Sequence, residues 1–246
     1  MPEPGDQKPQ AQPFFVTTRW SVVLAAKDKL SPDSAAALEA LCRAYWYSLY
    51  AYVRGSGYTA EDAQDLTQEF FARFLAKDWL RVVLPEKGRF RTFLLVTLKR
   101  FLANEWQRAS RQKRGAGIAS IPLDTLTAEH RFATEPPLAP DELYERRWAM
   151  TLLDQTLDQL SSEFENADKL HHFEVMKEWL AAARGEIPYD AIAEQLGVKE
   201  GAARVAVHRL RKRFRELFRE KIAETVAAAE DVDVEMRHLA LVLSKA

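Results

Sequence analysis

The chain has 246 residues, of which 47% are hydrophobic and 29% are charged, and its formal net charge is −1. These values are typical of a folded globular protein of one or two domains, and they exclude wholesale disorder. Cys42 is the only cysteine, which excludes a disulfide framework and a cysteine-based zinc site and indicates a reducing compartment.

The start of the sequence is polar and rich in proline, without the apolar segment of a signal peptide. We therefore expect a disordered leader over residues 1–13. No stretch of the sequence approaches the roughly 18 consecutive apolar residues of a membrane span. The sequence thus predicts a cytoplasmic protein that makes no contact with a membrane.

Residues 14–112 have the apolar spacing of helices and are predicted to form one helical domain. Its first long helix is expected to end at Gly55 and Gly57, and the next to begin with Thr59 or an adjacent residue as its N-cap. A third helix is predicted over residues 90–111. Its buried side is expected to consist of Phe90, Leu94, Leu98, Phe101 and Leu102.

The predicted helix over residues 60–76 carries an acidic stripe. Asp62, Asp65 and Glu69 are spaced by three and four residues, and Gln68 lies beside them. The stripe either serves solubility alone or binds a basic protein surface, where complementary charge speeds association and fixes register. The residues themselves leave both interpretations open.

Residues 81–114 combine positive charge with aromatic side chains, and they contain ten lysines and arginines against two glutamates. Aromatic faces stack on exposed bases and cations bind the phosphate backbone, so this combination is typical of proteins that bind single strands. The alternative is that most of these aromatic residues belong to the core. The aromatic residues in and beside this segment are Trp79, Phe90, Phe93, Phe101 and Trp106.

Residues 113–140 separate this segment from the rest of the chain. They are rich in proline and glycine and lack a helical period, and the overlapping residues 115–145 carry six acidic side chains against Arg131 alone. We predict a linker with at most short turns. A second helical domain is predicted over residues 141–221. It is followed by a C-terminal extension, residues 222–246, which is expected to contain a short amphipathic helix that packs on another part of the protein.

The segment 189–217 has the pattern of a helix-turn-helix. Ile192 and Leu196 are expected to face inward, Ala193 allows close helix packing, and Gly197 suits a turn with positive φ. The second helix should bury its apolar stripe and offer its other side to DNA; the alternative is an ordinary corner between two helices. The stripe consists of Ala203, Val207, Leu210, Phe214 and Leu217. The other side presents Arg204, His208, Arg209, Arg211, Lys212 and Arg215.

The distribution of charge supports two separate contacts. Residues 199–221 contain nine lysines and arginines against three glutamates. Together with residues 81–114 they form two basic segments joined by an acidic one, a pattern that predicts two contacts with nucleic acid. The alternative is that each basic helix only exposes a solvated face.

Three segments, in this order, resemble an extracytoplasmic-function (ECF) sigma factor of bacterial RNA polymerase. The segment DAQDLTQEFFARFL, residues 62–75, is similar to region 2.2 of that family, and residues 88–114 are similar to regions 2.3 and 2.4. The segment YDAIAEQLGVKEGAARVAVHRLRKRF, residues 189–214, is similar to region 4.2. The resemblance covers residues 35–112 and 145–218. It implies an all-α fold with two small helical domains joined by a flexible linker.

The resemblance also implies a function, that of a promoter-specificity factor that binds the β′ and β subunits of core RNA polymerase and directs transcription initiation. The implied polymerase contacts are Asp62, Asp65, Gln68 and Glu69. The implied contacts with the −10 element and its melted non-template strand are Lys87, Arg89, Arg91, Lys99, Arg100 and Asn104. The implied contacts with the −35 duplex are Lys199, Arg204, Val205, His208 and Arg209.

The main alternative is a free-standing helix-turn-helix regulator that binds duplex DNA without polymerase. An enzyme is not expected, because the sequence has no HExxH zinc motif, no phosphate-binding loop and no GxSxG motif. We also expect no cofactor and no bound metal. An anti-sigma factor, a kinase and the C-terminal extension are candidate regulators, and the sequence does not choose among them.

Overall fold

A computed structural model describes residues 20–27, 32–76, 79–84, 88–109 and 125–245. Within these ranges all regular structure is helical, so the predicted all-α class is confirmed. The predicted leader, Lys87 and residues 113–124 of the predicted linker lie outside the described residues. In the described ranges no helix has both the length and the apolar character needed to cross a membrane.

Ten α-helices follow one another along the described parts of the chain. The first five are α1 Trp20–Lys27, α2 Ser34–Gly55, α3 Ala60–Ala76, α4 Phe90–Ala109 and α5 Thr125–Ala133. The second five are α6 Pro140–Asn166, α7 Leu170–Met176, α8 Tyr189–Leu196, α9 Glu200–Ala223 and α10 Asp231–Ser244. Short 3₁₀ segments lie at Trp79–Val82, Lys177–Trp179 and Arg184–Glu186.

Helix boundaries in the first half of the chain follow local signals. Helix α2 ends at Gly55, and Gly57 adopts a positive φ of 94° in the turn that follows. The Thr59 hydroxyl accepts a hydrogen bond of 3.1 Å from the Asp62 backbone N–H and donates one of 2.8 Å to the Asp62 carboxylate. These bonds satisfy a free N–H group at the start of α3. The expected end of α2 and start of α3 are thus confirmed.

The buried apolar residues form two clusters. The first cluster fills the space between α2, α3 and α4, where Leu49, Phe70 and Leu98 are fully buried. Helices from later in the chain complete it, and their contributions are Tyr144, Trp148 and Leu152 from α6, Ile222 from α9 and Val232 and Leu239 from α10. The second cluster lies between the end of α6 and helices α7, α8 and α9. It contains Leu160, Phe173, Ile192, Val207, Leu210 and Leu217.

Helices α6 and α9 belong to both clusters. Along α6 the change from the first cluster to the second falls between Leu152 and Leu160, and along α9 the reverse change falls between Leu217 and Ile222. We expected the second domain to begin at residue 141. The structure differs, because the first half of α6 packs on α2 inside the first cluster. The two clusters are therefore joined by continuous helices.

Helix α5 lies in the segment that the sequence predicted to be a linker with at most short turns. It packs against α2 and α3, and Ala128 is buried in the first cluster. Glu129 accepts a hydrogen bond of 2.7 Å from Arg54, whose guanidinium also lies 4.7 Å from the centre of the Phe132 ring. The expectation was therefore wrong for residues 125–133. The prolines around this segment predicted a linker, whereas it contains a short helix in which Ala128 and Phe132 share one face.

The packing of α5 against α2 should depend on pH, because Glu129 of α5 pairs with Arg54. The hydrogen bond from Arg54 lowers the pKa of Glu129 below its ordinary value of 4.5. A lowered folded-state pKa gives stability that is present above pH 4.5 and is lost as the pH falls through the folded-state value. We expect Glu129→Gln to lose less stability than the parent between about pH 6 and about pH 3. Urea unfolding across this range, with Glu165→Gln as control, measures the difference; equal losses would contradict it.

Candidate nucleic-acid and protein interfaces

The turn between α8 and α9 requires its glycine. Gly197 has a φ of 64°, in the left-handed region, and the Val198 N–H donates a hydrogen bond of 2.9 Å to the Ala193 carbonyl. This hydrogen bond closes the end of α8. Lys199 then precedes the first residue of α9 in an extended conformation. The two helices pack closely, with Ala193 and Ala203 buried at their contact.

Helix α9 has one buried and one exposed side. Ala203, Val207 and Leu210 are buried in the second cluster, as the apolar stripe predicted. All five residues that the sequence assigned to the −35 duplex are exposed: Lys199, Arg204, Val205, His208 and Arg209. Val205 is 48% exposed even though it is apolar. This one surface of α9 therefore exposes cationic side chains together with the methyl groups of Val205.

Two neighbours hold Arg204 in position on this surface. Its Nη2 lies 2.6 Å from Glu200 Oε1, one turn earlier on α9, and its guanidinium lies 4.6 Å from the centre of the Tyr189 ring on α8. The hydrogen bond to Glu200 raises the pKa of Arg204, so the group stays charged. An exposed pair of this kind contributes little to stability, and a phosphate or a base can therefore replace the carboxylate.

Two other arginines of α9 make hydrogen bonds within the protein. Arg211 donates to the Leu180 carbonyl at 3.1 Å and to the Ala182 carbonyl, and it is only partly exposed. Arg213 donates two hydrogen bonds, of 2.7 Å and 2.9 Å, to Glu163 on α6. Arg211 was expected among the DNA-facing cations. It instead satisfies carbonyl groups in the loop before α8.

A groove of about 500 Å³ lies along the N-terminal half of α4. Its apolar surface includes Val82, which is 62% exposed, together with Phe93 and Val96. Arg89 and Arg100 also line the groove. Apolar side chains can pack against a planar base, and the neighbouring guanidinium groups can bind its phosphate.

The remaining residues assigned to the −10 element lie at different places around α4. Asn104 is exposed one turn beyond Arg100 on the same side of the helix. Lys99 is exposed on another side, where it lies 2.7 Å from Asp141 and 5.8 Å from the centre of the Tyr52 ring. Of the described candidates, Arg89, Arg100 and Asn104 therefore share the groove side of α4.

Arg91 differs from the other candidates, because it is 2% exposed. Its Nε donates a hydrogen bond of 2.8 Å to Glu145, its Nη1 pairs with Glu235, and its guanidinium stacks 4.2 Å from the centre of the Trp148 ring. Contact between Arg91 and DNA is not available in this arrangement. A helix turns by about 100° per residue, so Arg91 points to the opposite side of α4 from Arg100.

Sequence reasoning missed Glu235, although the sequence held a signal for it. Glu235 lies within the apolar stripe of Val232, Met236 and Leu239 on α10. A carboxylate in such a stripe is buried on folding and requires a cationic partner. The structure supplies two partners, Arg89 and Arg91, and leaves the Glu235 side chain with 0% exposure.

The four residues of the acidic stripe on α3 differ in what they contact. Asp62 takes part in the N-terminal cap described above, and Gln68 is partly exposed. Glu69 lies 2.5 Å from Arg73, which also lies 2.5 Å from Glu105 on α4. Asp65 is exposed, and among the described residues no ion-pair partner is found for it. It is the carboxylate of this stripe that is most open to a partner protein.

The described residues thus present an exposed cationic side of α9, a groove along α4 with two arginines, and an exposed carboxylate on α3. No family model, curated protein or solved structure matches the chain. The geometry of these surfaces is therefore what points to a function.

Proposed function

We propose that this chain is a promoter-specificity (sigma) factor that binds core RNA polymerase and directs transcription initiation. The observation that carries the proposal is the presence of two separate cationic surfaces on helices of one protein, the exposed side of α9 and the groove along α4. A factor that reads two promoter elements requires two such surfaces. Their different chemistry suits two different states of DNA.

The exposed side of α9 is proposed to read the −35 duplex. Helices α8 and α9 with the Gly197 turn form the helix-turn-helix of this proposal, and α9 is its recognition helix in the major groove. Arg204 and Arg209 are suited to guanine edges or phosphates, and the exposed Val205 is suited to a thymine methyl group. Lys199 and His208 flank these contacts.

The groove along α4 is proposed to hold the melted non-template strand of the −10 element. An unstacked base would lie against Phe93 and Val96, and Arg89 and Arg100 would bind the adjoining phosphates. Stacking and phosphate contacts would offset the few kcal/mol that unstacking costs. Asn104, one turn further along α4, adds a hydrogen-bonding group on the same side.

The acidic stripe on α3 is proposed to dock on the β′ subunit of polymerase. Its exposed carboxylate, Asp65, lies on a different helix from both cationic surfaces. Complementary charge at this contact would speed the encounter and fix the register of the complex. In this proposal the polymerase and the DNA bind different surfaces, so both can be bound at once.

Run-off transcription tests the proposal. Purified chain and core polymerase are incubated with a pool of genomic fragments, and we expect defined transcripts that are absent when either protein is omitted. A free-standing regulator is the second candidate, because the exposed side of α9 has no need of polymerase to reach duplex DNA. It would bind isolated duplex tightly and give no transcripts of its own. A sigma factor should bind isolated duplex weakly and gain affinity when core polymerase is added.

The exposed side of α9 yields a direct prediction. We expect Arg204→Ala and Arg209→Ala each to weaken binding to the selected −35 duplex by about 5- to 150-fold if the side chain reads a base. Fluorescence anisotropy with the selected duplex and with a scrambled duplex measures this effect. Arg43→Ala, which removes an exposed cation on α2, is the control. Equal losses on both duplexes would show that the arginine contacts phosphate alone.

A further inference from the structure

The C-terminal helix α10 packs on the first cluster next to the N-terminal end of α4. Val232 and Leu239 anchor it there, and it also contacts α6 and α9. The burial of two aliphatic side chains makes this docked arrangement favourable in the free chain. Its link to the α4 groove is the contact between Glu235 and Arg89, a residue that lines the groove.

Glu235 is the group on α10 that reaches the arginines of α4. Its Oε2 lies 2.5 Å from Nη2 of Arg89, and its Oε1 pairs with Arg91. Arg89 is itself a wall of the groove. The α10 carboxylate thus neutralises one of the two cations that the groove offers to a ligand.

Beyond Glu235, α10 packs Met236, Val242 and Leu243 against the first cluster, and His238 lies 3.4 Å from Glu145. Three more polar contacts involve exposed or partly exposed side chains of α10, of Lys245 and of its neighbours. Arg219 of α9 pairs with Asp233, Lys245 lies 2.6 Å from Glu142, and Arg146 donates a hydrogen bond of 3.0 Å to the Leu243 carbonyl. Exposed pairs contribute little to stability. Residues 227–230, which connect α10 to the rest of the chain, are exposed and lie outside any helix. No helix within this connection would have to unfold for α10 to detach.

We propose that α10 is an intramolecular competitor of nucleic acid at the α4 groove, with the Glu235 carboxylate in the place of a strand phosphate. Carboxylate and phosphate are both oxyanions that guanidinium groups bind with charge-assisted hydrogen bonds, so one excludes the other from Arg89. The proposal rests on the function assigned above to the groove. It makes the free chain a closed form whose groove gains its full charge only when α10 detaches.

A closed form lowers apparent affinity in proportion to the fraction of open molecules. Glu235→Gln keeps the size of the side chain but removes its charge, so the closed form loses the ion pairs of Glu235 with Arg89 and Arg91. We expect Glu235→Gln to raise the affinity of the full chain for single-stranded DNA by about tenfold. The matched control is Asp233→Asn, which removes an exposed carboxylate from the same helix and leaves Arg89 paired. Its affinity should stay within about twofold of the parent.

Fluorescence anisotropy with a labelled single-stranded oligonucleotide of random sequence, at low salt, measures these affinities. A third variant, Arg89→Gln combined with Glu235→Gln, should lose the gain, because the cation that the strand would use is gone. Equal affinities for Glu235→Gln and Asp233→Asn would overturn the proposal, and so would a gain that persists without Arg89. Failure of the parent and of Glu235→Gln alike to bind the oligonucleotide would also overturn it.

Hydrogen exchange on the parent chain gives a readout that needs no substitution at Glu235. We expect exchange over residues 231–244 to increase when the oligonucleotide binds, because α10 detaches. Unchanged protection of α10 in the bound state would overturn the proposal even if Glu235→Gln failed to fold. A pull-down with core polymerase tests the proposed function independently, because binding of polymerase by α3 does not depend on the position of α10. Retained polymerase binding with unchanged α10 protection would overturn this inference alone.

Discussion

The Asp65→Arg variant is expected to lose binding to core polymerase while its free energy of unfolding stays within about 0.5 kcal/mol of the parent. Asp65 is exposed on α3, and no ion-pair partner is found for it among the described residues, so the fold does not depend on its charge. A reversed charge at a complementary interface places like charges together, which costs several kcal/mol. The effect should therefore be close to complete loss at ordinary protein concentrations.

A pull-down of core polymerase at low ionic strength, accompanied by urea unfolding, measures both parts of this prediction. The matched control is Glu165→Arg, which makes the same change of charge at an exposed position near the end of α6. Retention of parental affinity by Asp65→Arg would contradict the proposed docking of α3. Equal loss in the control would mean that net charge, rather than this surface, governs association.

The Arg91→Ala variant is expected to be destabilised by about 3–5 kcal/mol, the usual cost of removing one partner from a buried ion pair. Arg91 is the cation between Glu145 and Glu235, and Glu235 has no exposure to solvent. Without Arg91 the Glu235 carboxylate stays buried with Arg89 as its remaining partner, and the Trp148 ring loses the guanidinium stacked on it. Both losses weaken the first cluster.

Urea unfolding at neutral pH, followed by far-ultraviolet circular dichroism, measures the change. Lys177→Ala is the control, because it breaks an ion pair with Glu174 that is largely exposed; it should change stability by less than about 1 kcal/mol. A loss for Arg91→Ala no larger than that of the control would mean that the Arg91 pairs contribute nothing net to the fold. The interpretation of Arg91 as a structural residue would then be wrong.

The fold was predictable wherever local periodicity and capping agreed. The apolar stripe of α9, the Gly55 end of α2 and the Thr59 cap of α3 each depend on neighbours within one or two turns, and the structure confirms them. Helix α5 was missed because its nine residues lie among prolines. Its stability comes from docking on Arg54 and Tyr50, which are far away in sequence. Such tertiary support leaves little local trace.

The candidate site was predictable only in part for a similar reason. Exposure of Arg204, Val205 and Arg209 follows from the position of the apolar stripe on the same helix. The burial of Arg91 depends instead on Glu145 and Glu235, which come from two other helices. Counting cations in residues 81–114 gave no means of separating a groove arginine from a core arginine. The polar residue within the α10 stripe was the one indication that a buried partner existed.

Under the proposed function, the continuity of α6 and α9 between the two clusters would have a consequence for the spacing of promoter elements. Neither helix has a proline or glycine where it passes from one cluster to the other, and sharp kinks seldom form without such residues. Each added base pair rotates B-DNA by about 35°, so a −35 element shifted by one step faces a new direction. A protein whose two DNA-binding surfaces are joined by continuous helices resists torsion between them and would not follow that rotation. In this form the protein should accept spacers of nearly a single length.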